Sequence, residues 1–345
     1  MTMTEPDFQH IVVGAGPMGA SAAKYLAQAG ERVLLLAPEE PADAAELGRY
    51  TSHGDHSRLA RGLDNDSVWA RMAKASIDRY RALEQESGVP FFNEVGCITV
   101  VEGATTVNED KLGQIEAVAA SVGIAYDRLP TSDLIREFPQ LAANSGTVGY
   151  VESQNAGWVN PRDFVRAQIA SGEQHGLWVS TEPMQSAEVM ADRIEVTTAV
   201  GSRLTAGQAL FAMGAHSAFD MPVPVDEQFM IYARTVVHVP LSDDQAAQLA
   251  TLPCMIVRGV DDDRNCYVVP PIRYPDGEWY MKIGGGRRTQ ELTGRGHMTD
   301  WFASNGDRDV AQELLMRLGE LVPAATPTTG HSQACVITVA ESGLP

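Results

Sequence analysis

The chain has 345 residues, of which 44% are hydrophobic and 21% charged, a composition typical of a globular protein large enough for two interleaved domains. Its formal net charge of −19 argues against nucleic acid or an anionic membrane surface as a partner, because both bind to basic surfaces. No apolar run approaches the ~20 residues that span a membrane, and residues 1–9 lack the features of a signal peptide.

The stretch from Gln9 to Leu36 predicts a strand–turn–helix–strand unit that binds a nucleotide. A short β-branched run ends directly at glycines spaced as G-x-G-x-x-G, which are Gly14, Gly16 and Gly19. This order provides a tight turn, close approach of a pyrophosphate to the backbone, and close packing of the next helix on the sheet. The alternative is an ordinary structural turn, but a run of helix formers and a second apolar run follow directly, as the nucleotide-binding unit requires.

One element of this pattern is missing. The acidic residue expected at the end of the second strand, where it would bind the ribose hydroxyls, is replaced by Ala37. Glu39 follows shortly after, and we take it as the substitute. The alternative is a charge in a solvated loop.

A polar segment from Thr51 to Arg61 follows. Arg58 and Arg61 are three positions apart, so both guanidinium groups would point to one side if the segment were helical. Two such charges would bind an anion. Taken alone, the pair is more often a solvated basic turn.

The remaining chain predicts alternating helices and strands. Amphipathic helices are expected over Ser67 to Ser87, Leu112 to Val122, Leu134 to Phe138, from Asn160-Pro161 onward, and Arg308 to Leu321. Strands are expected within Phe91 to Val101 and at Leu177 to Val179, Arg193 to Thr198, Ala209 to Met213, Arg234 to Val239, Met255 to Val257, Tyr267 to Val269, Trp279 to Ile283 and Gln333 to Val339. Gly214 follows an apolar strand, so it is either a second point of close approach to the backbone or a plain turn.

The cysteines predict neither a metal site nor a disulfide framework. Cys97, Cys254, Cys266 and Cys335 have no C-x-x-C spacing and lie in apolar or strand-like surroundings. A reducing, cytoplasmic location is therefore expected.

Together these pieces resemble the flavoprotein amine oxidases of the monomeric sarcosine oxidase and N-methyltryptophan oxidase type, within the D-amino acid oxidase family. The resemblance rests on motifs in the same order along the chain: the glycine fingerprint, Ser52 to Arg61, Gly157 to Arg162, Phe211 to Ser217, Arg234 to Val236, Tyr267 to Pro270, Met281 to Gly284, and Ala334 to Thr338. It implies a monomer that binds FAD and acts on a small amine or amino acid and on O2.

The resemblance also implies roles for particular residues. Arg58 matches an arginine against the flavin ring, and Arg61 one that pairs with the substrate carboxylate. Tyr267 matches a tyrosine beside the substrate, and Lys282 a lysine that activates oxygen, although a lysine in a strand more often points outward. Cys335 matches the cysteine that carries the flavin covalently; the alternative is a small apolar core residue. The expected cofactor-binding residues are Gly14, Gly16, Met18, Gly19, Glu39, Ser52, Arg58, Gly214 and Cys335.

Three departures from the family pattern are visible. Ala37 replaces the acidic residue, and Gly286 replaces a substrate-pocket histidine, which predicts a different and roomier pocket. The resemblance also implies a further segment after the cysteine strand, with a glycine-rich loop around the flavin and a lysine for the substrate carboxylate, which this sequence does not contain.

The fold class expected is α/β with α+β character: a Rossmann-like FAD-binding domain and a mainly antiparallel-sheet substrate domain. We expect the first domain to comprise residues 1–88, 148–218 and 326–345, and the second 89–147 and 219–325. The expected reaction is oxidation of the C–N bond of a secondary or primary amino acid, with hydride passing to flavin and O2 becoming hydrogen peroxide. The alternatives are a flavin dehydrogenase with another electron acceptor, or a catalytically silent FAD-binding remnant.

Overall fold

The computed structural model describes residues 5–39, 53–103, 106–286 and 290–343. Its α-helices are α1 (Pro17–Gln28), α2 (Ser67–Ile77), α3 (Tyr80–Ser87), α4 (Thr106–Val122), α5 (Thr131–Glu137), α6 (Pro161–Gln174), α7 (Ser217–Asp220), α8 (Asp243–Gln248), α9 (Arg295–Phe302) and α10 (Arg308–Leu321).

Its strands form three sheets. They are β1 (Phe8–Val13), β2 (Val33–Leu36), β3 (Arg58–Ala60), β4 (Phe92–Asn93), β5 (Cys97–Val101), β6 (Asp127–Pro130), β7 (Val148–Glu152), β8 (Gly157–Val159), β9 (Trp178–Ser180), β10 (Met184–Val189), β11 (Ile194–Thr198), β12 (Arg203–Phe211), β13 (Phe229–Leu241), β14 (Cys254–Arg258), β15 (Cys266–Arg273), β16 (Trp279–Gly285) and β17 (His331–Ala340).

The first sheet has six strands in the order β10-β11-β12-β1-β2-β9. Strand β1 lies between β2 and β12 and is parallel to both, so the strand order changes direction at β1. Apolar side chains on both faces of β1 and β2 are buried, and α1 and α6 cover one face. Strand β9 is parallel to β2, so the carboxyl ends of four parallel strands meet at one edge, which is where open α/β sheets bind nucleotides.

The second sheet has eight strands in the order β17-β13-β16-β15-β14-β5-β7-β6, and most of its neighbours are antiparallel. One face carries the largest apolar core of the molecule, which includes Met255, Val268 and Ile283 and packs against α10. Because side chains alternate along a strand, their neighbours Ile256, Tyr267 and Lys282 lie on the opposite face. This second face, which we call the polar face, carries the residues expected to act chemically.

Two predictions about local structure were wrong. The helix expected over Ser67 to Ser87 is two helices, α2 and α3, which meet at Asp78 and Arg79. Tyr80, at the start of α3, packs edge-on against Phe91, Phe92 and Phe164, so tertiary packing sets the direction of the second helix.

The helical arrangement considered for Arg58 and Arg61 is also wrong. Residues 58–60 form the extended strand β3, in which Arg58 lies opposite Val159 of β8. Three residues along a strand place two side chains on opposite sides, so the two guanidinium groups diverge.

The fold class is confirmed: parallel β–α units and a mainly antiparallel sheet are combined in one chain. The division into two domains at residues 88, 147, 218 and 325 stays a prediction. Within the described ranges, every helix is too short or too polar to cross a membrane.

Candidate active site

The glycine fingerprint lies at the carboxyl edge of β1, and two of its three glycines, Gly14 and Gly19, have a steric reason. Gly14 has φ +101°, and a Cβ atom there would lie 2.4 Å from the carbonyl oxygen of Ala212. A Cβ atom at Gly19 would lie 1.9 Å from the carbonyl oxygen of Gly14, so any side chain would separate α1 from the turn. A Cβ atom at Gly16 would meet, among the described residues, only the His53 ring within 4 Å.

This edge fits the phosphates of a dinucleotide. Gly16 is the N-cap of α1 and provides no side-chain cap, so the first-turn N–H groups of α1 are directed at the open space beside it. Met18 is 69% exposed at the start of the same helix. Gly214 has φ +57°, and no atom of the described ranges lies within 4 Å of the position that a Cβ atom would take there. A ligand could therefore approach the backbone of Gly214 closely as well.

Two other expected cofactor residues are less defined. Glu39 is exposed just beyond the end of β2, where the ribose of a nucleotide on this edge would lie, and its role stays a prediction. Ser52 lies outside the described residues.

Asp55 is the centre of a buried charge cluster on the polar face. Its Oδ2 accepts hydrogen bonds from Lys282 Nζ at 2.6 Å and from an Arg58 guanidinium nitrogen at 2.8 Å. Its Oδ1 lies 3.1 Å from the Tyr274 hydroxyl and 3.3 Å from Nε2 of His238. Lys282 Nζ also donates to the carbonyl oxygen of Ser57. One carboxylate thus positions two cations side by side.

The pKa values of this cluster follow from burial and charge. Burial alone would raise the pKa of Asp55, but the Lys282 charge, the hydrogen bond with His238 and the Arg58 charge hold that pKa well below its ordinary value. Burial and, to a smaller extent, the Arg58 charge lower the pKa of Lys282, the Asp55 charge raises it, and the resulting pKa is about 8. Lys282 therefore changes its charge near neutral to mildly basic pH.

Tyr267 and Cys335 border the same cluster. The Tyr267 ring lies across Gly284 of the neighbouring strand, and a Cβ atom at Gly284 would come 2.5 Å from the Tyr267 hydroxyl. The centroid of the Tyr267 ring is 5.7 Å from Lys282 Nζ. Burial raises the pKa of the Tyr267 hydroxyl. Cys335 is paired with Arg234 across β13 and β17 and is partly exposed. Its sulfur is close enough to Arg58, Tyr267 and Lys282 to interact electrostatically with all three.

Arg61 lies in a second group of charges on the side of β5 and β14. It donates to Asp64 at 2.9 Å, and its charge acts on Glu152, Cys97 and Arg258. Of the four residues expected to be catalytic, the structure therefore brings Arg58, Tyr267 and Lys282 together and places Arg61 apart from them.

Sequence reasoning missed the acceptor that organises the site. Asp55, His238 and Tyr274 were not singled out, although Asp55 is the acidic residue in the polar segment that also contains Arg58. An acid three positions before an arginine was the available signal, but its partners Lys282 and His238 are far away in sequence. The outward position considered for Lys282 is wrong, since its side chain is only 1% exposed.

Comparison with known proteins gives the class of protein that this arrangement defines. The model of the FAD-dependent oxidoreductase family DAO matches residues 9–345, almost the whole chain. The chain belongs to this family, and FAD is its cofactor.

One sequence relative and two solved structures with the same fold show the extent of the similarity. Monomeric sarcosine oxidase from Streptomyces avermitilis is 27% identical over 236 residues, 66% of this chain and 58% of that protein. The structure of NikD, an amino acid oxidase of nikkomycin biosynthesis, superimposes with a TM-score of 0.76 over 97% of this chain and 82% of its own, at 20% identity. L-proline dehydrogenase from P. horikoshii gives a TM-score of 0.74 over 99% of this chain and 84% of its own, at 15% identity. The chain thus aligns with little more than half the length of the sarcosine oxidase.

Proposed function

We propose that this protein oxidises the C–N bond of a secondary or primary amino acid and passes the electrons to O2, which becomes hydrogen peroxide. One observation carries the proposal: a buried lysine ammonium, held by Asp55, lies on the same sheet face as Tyr267 and Cys335. FAD, when bound, supplies the hydride acceptor and the path of the electrons to oxygen.

The chain's own residues have separate tasks in this proposal. Gly14, Gly16, Gly19 and Gly214 let the backbone approach the dinucleotide, with Met18, Glu39 and Ser52 as further contacts. Arg58 borders the flavin ring, and Tyr267 lines the substrate side. Arg61, from the neighbouring group of charges on the side of β5 and β14, binds the far end of the substrate, its carboxylate, and thereby orients the carbon that loses hydride.

Lys282 supplies positive charge where oxygen is reduced. Negative charge that develops on oxygen in a water-poor site is stabilised by a fixed cation, and a cation already held by Asp55 needs no reorganisation at that moment. Because the pKa of Lys282 is about 8, this stabilisation is present below that pH and is lost above it.

We also propose that Cys335 carries FAD covalently. The residue is partly exposed, and its side chain lies near the cations of Arg58 and Lys282 on the polar face. Formation of a thioether to the flavin's 8-methyl carbon would break the S–H bond and one methyl C–H bond, and the two electrons and two protons would pass to the flavin and then to O2. The thioether would fix the ring against the polar face.

The proposal includes a monomer in the cytoplasm, with a small amino acid and O2 as its substrates. All four cysteines are unpaired thiols, which supports a reducing compartment. The DAO match and the sarcosine oxidase relative support the reaction class. The structure of L-proline dehydrogenase shows that a dehydrogenase can have the same fold.

The test uses the purified full chain. We expect flavin absorbance in the visible range, reduction by at least one of sarcosine, N-methyltryptophan, proline, pipecolate or a D-amino acid, and one peroxide formed per oxygen consumed. Reduction without peroxide would replace the oxidase by a dehydrogenase. Protein that binds flavin but is reduced by none of these compounds would support the silent remnant instead.

A further inference from the structure

Arg258 lies on the polar face beside the row that contains Tyr267. In the antiparallel pairing of β14 with β15, Ile256 lies opposite Tyr267. Arg258 is two residues from Ile256 and therefore on the same face of the sheet. Across the parallel pairing with β5, Arg258 lies opposite Val101. Its neighbours Ile256 and Val101 are both apolar.

This arginine is near a second cation, Arg61, and near two carboxylates that act on it at a distance. Burial and the charge of Arg61 both lower the pKa of Arg258, while Asp64 and Asp262 act in the opposite direction. Asp64 already accepts a hydrogen bond from Arg61. In the part of the chain that the structure describes, no ion pair or side-chain hydrogen bond joins Arg258 to another residue.

A third acidic side chain in this group, Glu152, is directed at the backbone of a turn. Burial raises the pKa of Glu152, whereas the N–H groups of Gly62 and Leu63 and the Arg61 charge lower it. Its Oε1 accepts the backbone N–H groups of Gly62 and Leu63 in the turn after β3, and its Oε2 is buried without a hydrogen-bond partner among the described residues. Of the carboxylates that act on Arg258, Asp64 is ion-paired with Arg61, and Asp262 acts on Arg258 without a direct ion pair between the two in the described part of the chain. A guanidinium binds a carboxylate with two parallel hydrogen bonds, so the Arg258 side chain can take a further carboxylate.

We propose that Arg258 binds a second carboxylate of the substrate, so that the substrate is a dicarboxylic amino acid. This inference rests on the proposed function, in which Arg61 binds the carboxylate next to the reacting carbon. Arg258 then determines specificity: it discriminates a side chain that ends in a carboxylate from a neutral one. Arg61 and Arg258 are close enough to interact through their charges, which suits two carboxylates on one small molecule.

The test measures binding without turnover. Isothermal titration calorimetry of the FAD-loaded protein compares glutarate, a dicarboxylate, with butyrate, a monocarboxylate of similar size. We expect glutarate to bind about 10- to 100-fold more tightly, the contribution of one charge-assisted hydrogen-bonded pair. In Arg258→Met this preference should be lost while butyrate binding changes by less than about twofold. Arg308→Met, which removes an exposed arginine at the start of α10, should behave like wild type.

A second variant covers the case in which Arg258→Met does not fold. Arg258→Lys keeps a positive charge near Asp64 and Asp262 but loses the two-pronged geometry, so glutarate should weaken and butyrate should not. If wild type shows no preference for glutarate, or if both ligands weaken equally in the variants, Arg258 does not bind a second carboxylate and the inference is wrong.

A peroxide assay separates this inference from the proposed function. N-methylglutamate and sarcosine are compared as substrates of the wild-type protein, and peroxide should form faster from N-methylglutamate. Peroxide from sarcosine without selective glutarate binding would overturn the Arg258 assignment alone. Selective glutarate binding without peroxide from any amino acid would show that the oxidase proposal is wrong and that Arg258 nevertheless binds a carboxylate.

Discussion

Lys282 and Asp55 show how a single carboxylate determines the electrostatics of the site. A lysine buried without a partner would lose its proton far below its ordinary pKa, but the 2.6 Å contact with Asp55 keeps the pKa of Lys282 at about 8. Asp55 in turn stays ionised because it has two cations and the His238 ring as partners. Asp55 is therefore a positioning residue that acts through Lys282.

Replacing Asp55 by Asn should move the pH dependence of the oxygen reaction. In wild type, we expect the rate at which O2 reoxidises the substrate-reduced protein to fall as the pH rises through about 8, because Lys282 loses its charge there. Without the Asp55 charge, the pKa of Lys282 falls further, so the decline should occur about 1 to 3 pH units lower. Stopped-flow absorbance at a series of pH values measures this directly.

Two variants serve as controls for this prediction. Lys282→Met should reduce the rate by roughly 10²- to 10³-fold and leave no titration between pH 6 and about 9, since the stabilising charge is gone. Glu5→Gln removes the carboxylate of the exposed Arg32–Glu5 pair and should have the wild-type profile. An Asp55→Asn profile that coincides with wild type would show that Asp55 does not set the charge of Lys282.

At the residue scale, the sequence predicted the identity of the functional groups better than their partners. Arg58, Tyr267 and Lys282 could be found from a family pattern, because each follows a recognisable local motif. Asp55 could not, since its importance comes from Lys282 and His238, which strand pairing brings in from more than 180 positions away. The divergence of Arg58 and Arg61 depends on β8, which turns a polar segment into a strand.

At the scale of secondary-structure elements, the fingerprint glycines are set by contacts between β1, α1 and β12. Gly19 is the most constrained, because its backbone touches the carbonyl group of Gly14 and its Cβ position is also 3.1 Å from the Ala212 side chain. We expect Gly19→Ala to lower the free energy of unfolding by about 1–3 kcal/mol through overpacking. It should also reduce the flavin content, because α1 must move away from the phosphate position.

The matched control for this prediction is Gly113→Ala, in the interior of α4. No atom of the described residues lies within 4 Å of its Cβ position, so the same substitution should raise stability by about 0.5–1 kcal/mol through the lower entropy of the unfolded chain. Urea unfolding and the ratio of flavin to protein absorbance give both quantities. Full flavin content in Gly19→Ala would mean that the close packing of α1 is not needed for the cofactor.

Element boundaries were predictable where local signals mark them. The helix expected at Arg308 to Leu321 is confirmed residue for residue, since the Asp307 side chain caps its first turn. Asn160 caps α6 in the same way, with Pro161 in the first turn. The break between α2 and α3 has no glycine or proline to mark it, and only the aromatic packing of Tyr80 explains it.

At the scale of the whole molecule, the cofactor-binding groups are divided between two sheets. Gly14, Gly16 and Gly214 belong to the edge of the six-stranded sheet, whereas Lys282 and Cys335 belong to the polar face of the eight-stranded sheet. The order of motifs along the sequence predicted that both groups bind one cofactor. Tyr267, Lys282 and Cys335 share a face because of the register of four strands, which no local sequence pattern encodes. An FAD molecule bound by both groups would connect the two sheets.

Replacing Cys335 by Ser tests that connection. If the flavin is attached through Cys335, wild-type protein precipitated with acid should keep its yellow colour in the pellet, and its melting temperature should not depend on added FAD. The Cys335→Ser protein should release the colour, and its stability should rise with FAD concentration, by about 2.7 kcal/mol at 100 times the dissociation constant, because only the folded state binds the cofactor. Cys266→Ala, on the opposite face of the same sheet, should keep the colour in the pellet. Colour retained by Cys335→Ser would place the attachment at another residue, and colour released by wild type would mean that both sheets hold FAD by non-covalent contacts alone.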